Sequence, residues 1–147
     1  MSGLALWGAN EISQMIFGRR SLPPESWYLA LIRNSQPNAF SDGTELDEPP
    51  TDTTGYARLE LVNDATIWDT DGYYLTRNVV DLTFLEATGD WGRLNYWALC
   101  NAVTEGFVYF TGKLPQSEVV LSGDVVHIPA GSLQISLGPI FGVDDGS

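Results

Sequence analysis

The sequence predicts an all-β protein: an antiparallel β-sandwich, jelly-roll-like or immunoglobulin-like, of about eight strands with one short N-terminal helix. Three observations carry that reading. Short runs of alternating apolar and polar residues recur from Trp27 to Leu137. Gly 15 and Pro 8 fall mostly between those runs, where turns are needed. The best helical spacing of apolar residues lies near the N-terminus.

Gly8 to Phe17 is the helix candidate, with Ile12, Met15 and Ile16 on one stripe and Gly18 as its stop. Arg19 and Arg20 follow, where cations suit the negative end of a helix dipole. The helix either covers one end of a sheet or forms an arm that reaches a neighbouring subunit. Pro23 and Pro24 stiffen the link to the first strand, Trp27 to Ile32. Tyr28, Ala30 and Ile32 face one way and Leu29 and Leu31 the other, so that strand is expected to be central.

Asn34 to Thr54 reads as a long irregular loop, with Pro37, Pro49, Pro50, Gly43 and the acids Asp42, Glu45, Asp47, Glu48 and Asp52. Such oxygen density raises calcium, but the spacing fits no helix-loop calcium pattern, and a solvated acidic loop is preferred. Gly55 to Arg58 opens the next strand, with Ala57, Leu59 and Leu61 on one face and Arg58 and Glu60 on a wet or paired one. Ile67-Trp68 extends this strand or begins a partner, and Asp69 to Gly72 is a turn. Tyr73 to Asn78 leads into a strand ending at Phe84, with Val80, Leu82 and Phe84 inward.

Trp91 to Asn101 places Leu94, Tyr96, Ala98 and Cys100 on one side and Asn95, Trp97 and Leu99 on the other. Apolar residues on both faces predict cover by a second sheet or by another subunit. Thr104-Glu105-Gly106 turns the chain into a return strand, Phe107 to Thr111. Glu118 to Leu121 and Val125 to Ile128 read as a hairpin about Ser122-Gly123-Asp124. Ser132 to Leu137 points Leu133, Ile135 and Leu137 inward. The 147 residues are read as one domain: an N-terminal helix and arm over 1–24, the sandwich over 25–137 and a flexible acidic tail over 138–147.

Charge and chemistry narrow the function. Asp+Glu 19 against Lys+Arg 7 gives a net charge of -12, and Lys113 is the only lysine. A large phosphate-binding surface is excluded, and anionic membranes are disfavoured. No apolar run approaches the roughly 20 residues that cross a bilayer. With no basic n-region and no long h-region near Leu4 to Trp7, no secretory signal is expected. Cys100 is the lone cysteine and reads as a small core hydrophobe. His127 is the lone histidine, half-exposed on a strand, so a multi-histidine metal site is excluded within one chain. Glu86 and Asp90 could be drawn as a glycosidase-like pair, but so many acids make some pair inevitable. A sugar-binding surface on Trp91, Trp97, Tyr96 and Tyr109 is more credible than hydrolysis, and core packing more so again.

An ordered set of motifs adds to this reading. Trp27-Tyr28-Leu29-Ala30-Leu31 comes first, then Gly43-Thr44-Glu45, then Gly55-Tyr56-Ala57-Arg58. Phe84 to Gly92 (F-L-E-A-T-G-D-W-G) follows, then Gly123-Asp124 with Ile128 to Leu133. Across roughly residues 8 to 137 the set resembles a group of small virion proteins of tailed bacteriophages, labelled tail-fibre or head-decoration proteins. The chain departs in its longer 63–78 insert and its acidity.

The resemblance implies a virion structural protein, assembled in the host bacterial cytoplasm. A capsid decoration, or cement, protein is the first expectation: it binds the outside of the head and adds binding free energy to the lattice. The expected partners are the major capsid protein of the same phage and further copies of this chain, as a trimer about a threefold axis. The alternative is a tail fibre or baseplate adaptor in host attachment, displaying aromatics to a glycan. No enzymatic activity, cofactor, metal, nucleic acid or membrane is expected. Interface contacts are expected from Leu4, Trp7, Arg19, Arg20, Arg58 and Trp97, and from the 34–54 loop.

Overall fold

The strand with two apolar faces is internal to the largest sheet. The computed structural model describes residues 3–18, 23–37, 42–70 and 75–136. Among them the elements run β1 (Gly3–Leu4), α1 (Leu6–Ile16), β2 (Ser26–Ile32), α2 (Thr51–Thr54), β3 (Leu59–Val62) and β4 (Trp68–Thr70). They continue with β5 (Leu75–Asn78), β6 (Leu82–Thr83), β7 (Gly92–Cys100), β8 (Val108–Val120), β9 (His127–Ile128) and β10 (Gln134–Ser136). A five-stranded sheet has the order β1-β8-β7-β2-β3, beside smaller sheets β10-β5-β4 and β6-β9. The paired strands are all antiparallel, as an all-β sandwich requires.

The main core lies on one face of the large sheet. Leu29 and Leu31 of β2 meet Leu94, Trp97 and Leu99 of β7, and Leu82, Ile128 and Ile135 of the smaller sheets, with Phe84, Val126 and Leu133 beside their strands, close over them. Each such large apolar side chain contributes about 1.5–3 kcal/mol by leaving water. The opposite face carries small residues: Ala30, Ile32, Ala98, Cys100 and Val108, with Ala5, Leu46 and Tyr96 against them. The second cover for β7 therefore comes from the same chain, and Trp97 is 1 % exposed within it.

Several expectations are corrected. The segments 107–111 and 118–121 belong to one strand, β8, which pairs with β7 through irregular registers between Leu94 and Tyr96 and between Leu99 and Cys100. Pro115 is tolerated because β1 pairs only with Phe110 and Thr111, so among the described residues no strand pairs with the outer edge of β8 at the proline. The first irregularity moves Leu94 to the Trp97 side, away from Tyr96 and Ala98. Ser122 to Asp124 does turn, through the Asp124 N–H to the Leu121 carbonyl, but β9 then pairs with β6 instead of returning on 118–121.

The strand expected to end at Phe84 shrinks to two residues, and Val79 and Val80 bend outward. Trp68 begins a partner strand for β5. Helix α1 starts at Leu6 and buries Gly8 and Glu11, while Ile16, expected inward, is exposed. The turn residues Asp71 and Gly72, the Tyr73 start, Leu137 and the 138–147 tail lie outside the described residues.

Candidate functional site

Residues of three of the motifs, around Gly43, Tyr56 and Trp91, converge at one end of the large sheet, about Arg58. Its strand does not begin until Leu59, so Ala57 points out and Arg58 turns in, reversing the expected alternation. Arg58 uses all five of its N–H donors. Nε and Nη2 each donate to a Glu48 carboxylate oxygen at 2.9 Å. Nη2 also donates to the Gly43 carbonyl at 2.9 Å, and Nη1 to the Ala102 and Glu105 carbonyls at 2.9 and 2.8 Å. Arg58 is buried, where a wet or paired face was expected: its side chain is 3 % exposed and that of Glu48 17 %. Burial is the largest influence and opposes the guanidinium charge, but the Glu48 hydrogen bond and the neighbouring negative groups together prevail and raise its pKa.

Around this ion the other motif residues lock together. The Tyr56 hydroxyl donates to Glu48 at 2.6 Å and accepts the Leu31 N–H at 3.0 Å, a donor beyond the last β2–β3 pair at Leu29. Burial first, and then the Glu48 charge, hold that phenol well above its usual pKa, so it stays a donor. Trp91 meets Tyr56 edge to face at 5.3 Å and donates from Nε1 to the Thr54 carbonyl at 2.9 Å. Gly55 ends α2 at φ 71, a left-handed conformation that favours glycine. Gly43 lies flush on the β7–β8 turn: a Cβ there would fall 1.7 Å from the Glu105 carbonyl oxygen. Three of the acids of the 34–54 loop, Asp42, Asp47 and Glu48, are thus committed to the chain itself. Asp47 accepts from Arg33 and from the N–H groups of Asn34 and Ser35, and Asp42 from Thr44.

By fixing that turn, the Arg58 cluster positions a neighbouring groove. Phe107 leaves the turn with its N–H held by Asn101 Oδ1 at 2.8 Å, and its ring stacks on Trp7 at 3.9 Å and 14°. Helix α1 brings Glu11 one turn beyond Trp7. Strand β2 adds Tyr28, whose cross-strand neighbour is Glu60, and Glu60 accepts the Ser26 hydroxyl at 2.9 Å. With Glu25, Pro23, Pro24 and Tyr109 these enclose about 700 Å³. Three glutamates and four aromatic rings line the space, and among the described residues no lysine, arginine or histidine does. The Trp7 indole N–H is covered and, among the described residues, has no hydrogen-bond partner.

Of the residues expected at an interface, Trp7 lines this groove, Arg58 lies in the buried cluster and Trp97 in the core, its indole N–H donating to the Lys113 carbonyl at 3.1 Å. The Leu4 backbone pairs with Phe110, while its side chain, with Arg19 and Arg20, lies outside what is described. The sugar platform is not assembled: Trp91, Trp97 and Tyr109 are buried. Asp90 accepts the Ser122 N–H, Cys100 is buried with its thiol pushed up to about 12, chiefly by burial, and His127 lies exposed beside the Thr83 hydroxyl. Among the described residues no three His, Cys, Asp or Glu side chains are grouped to hold a metal.

Sequence reasoning missed Glu48 as the partner of Arg58, and Tyr28, Glu60 and Phe107 as groove residues. Only the β2–β3 register places Tyr28 beside Glu60, and only the helix docking brings Trp7 to Phe107. A family model described as podophage GP4 fiber I protein gp80 matches residues 3–136. No curated protein matches the sequence.

Proposed function

Because this chain belongs to the podophage GP4 fiber I protein gp80 family, a family of tailed-phage virion structural proteins, we propose that it serves as a subunit of a short-tail fibre. The observation that carries the reading is the family match, which takes in every element of the fold from β1 to β10. Its description names a fibre and so favours the tail over head decoration and a major capsid partner. A further feature suits assembly with a neighbouring subunit: Leu6, Ile16 and Phe17 of the N-terminal arm are 56 %, 70 % and 79 % exposed. The work of such a subunit is association, with virion neighbours and with the host surface, and its acidic exterior keeps it soluble. Immunogold electron microscopy of purified particles, with antibody raised against this chain, tests the reading. Label at the tail is expected. Label spread over the head would overturn the fibre assignment and restore decoration.

A further inference from the structure

We infer that the groove between α1 and the large sheet binds a neutral glycan, a short chain of pyranose rings. The aromatic wall argues for it first. Phe107 stacks on Trp7 through one face and is still 41 % exposed, so a bare apolar surface is held rigid beside the groove. Tyr28 adds a half-buried ring from β2. Hydrogen-bonding groups border these rings. Ser26 and Tyr28 alternate onto one face of β2, and Glu60 lies across the ladder from Tyr28 and accepts the Ser26 hydroxyl. Glu25 stands exposed beside them. Asn101 also lines the space, and its Oδ1 accepts the Phe107 N–H, which orients the amide. Glu11 belongs to the buried wall and has an interaction of its own, so it is left out of the ligand set.

A pyranose ring matches this arrangement. Its face is a patch of C–H groups that lies against an aromatic ring, and its edge carries hydroxyls that donate to carboxylates and accept from amides. The strand in the groove floor, β2, is paired on both sides, so an incoming peptide strand finds no backbone ladder to join. The net charge of -12, Arg19 and Arg20 included, disfavours an acidic glycan or a phosphate. The enclosed volume, about 700 Å³, lies within the roughly 300–1,000 Å³ of small-ligand sites and takes a few sugar rings. The inference stands on the groove alone and not on the place of the subunit in the particle. Label on the head would not argue against a bound glycan, so the two experiments fail separately.

The full chain is titrated with cellotetraose, maltotetraose, chitotetraose and mannotetraose, each up to about 10 mM, while backbone and side-chain N–H resonances are followed by NMR. At least one is expected to bind, with an affinity indifferent to salt, and to shift the signals of Trp7, Asn101 and Phe107 most. Phe107→Leu keeps apolar bulk without the ring and should bind at least about tenfold more weakly. Glu25→Gln/Glu60→Gln offers weaker acceptors and should lose about fivefold. Both of those positions are exposed, so that variant keeps the fold, and it decides the matter if melting curves show Phe107→Leu to be disturbed. Leu85→Ala, at an exposed apolar residue away from the groove, should change affinity less than about twofold. No binding by any of the four sugars, shifts confined to other surfaces, or undiminished binding by a folded groove variant would overturn the proposal. So would the peptide acetyl-(Arg-Gly)3-amide shifting the groove signals while the sugars leave them unmoved.

Discussion

The two faces of the five-stranded sheet are closed by opposite means. One is covered by the smaller sheets through large apolar side chains, with Trp97, Leu99, Leu29 and Leu31 at its centre. The other carries alanines and a cysteine beneath an irregular loop, and a buried ion pair with its hydrogen bonds holds that loop down. Burial of area is non-directional and forgiving, whereas the loop cover depends on one guanidinium reaching four separate groups. A loop has little apolar area to contribute, and its carbonyls need donors once water leaves. Arg58 meets both requirements for the stretch from Gly43 to Glu48.

Substitutions at the centre of each cover should separate the two. Trp97→Ala removes a large buried side chain and is expected to cost about 4 kcal/mol in urea unfolding, with one cooperative transition. Arg58→Ala takes the guanidinium from three carbonyls and leaves Glu48 with only the Tyr56 hydroxyl as a side-chain donor. Its expected cost is about 3 kcal/mol, the low end for a broken buried pair, since Glu48 keeps some contact with water. Cys100 reports where the opening occurs, because its thiol lies under the loop. In Arg58→Ala, Cys100 should react with a disulfide reagent at urea concentrations well below global unfolding. In Trp97→Ala, reaction should coincide with it. Coincident exposure in both variants would mean that the two covers unfold as one.

A smaller change probes the same cover. Tyr56→Phe keeps the ring against Trp91 but strips the Leu31 N–H of its acceptor and Glu48 of a donor. The expected loss is about 1–3 kcal/mol, read from the urea midpoint. A loss below about 0.5 kcal/mol would show that water replaces the hydroxyl, and that this end of the sheet is wetter than the burial of Tyr56 implies.

The same contrast explains what could be read in advance. The apolar cover was legible because its signal is local: alternation over Trp27 to Ile32 and over Leu133 to Ile135 places those residues inside whatever their partners. The motifs around Gly43, Gly55-Tyr56, Arg58 and Trp91 were visible as strings, but not their meeting. Arg58 looked like a wet-face residue because alternation was carried back through Ala57, where the backbone is not yet a strand. Glu48 was one acid among five in its loop, and nothing local marks it as the partner. The β6–β9 pairing and the joining of 107–111 with 118–121 across Pro115 rest on contacts distant in sequence. The groove was the least legible part, since its walls come from a helix, a linker, three strands and a turn.

The smallest expected effect concerns acid. Asp47 ties the start of the loop to its end: its carboxylate accepts from Arg33 and from two backbone N–H groups. Partial burial works against the charged form, but those hydrogen bonds and the Arg33 charge prevail, and its pKa lies below the ordinary 3.8. A lowered folded-state pKa means that the stabilisation is complete above the unfolded value of about 3.8 and disappears as pH falls through the folded value. Asp47→Asn should therefore cost less than about 1 kcal/mol at neutral pH, because the pair is part-exposed and the amide still accepts a hydrogen bond. Stability measured by urea unfolding at intervals from pH 7 to pH 2 should bring the curves of parent and variant together below pH 3.8. A gap that persists to pH 2 would mean that Asp47 acts through shape and not charge, and that Arg58 is the sole ionic fastening of the loop.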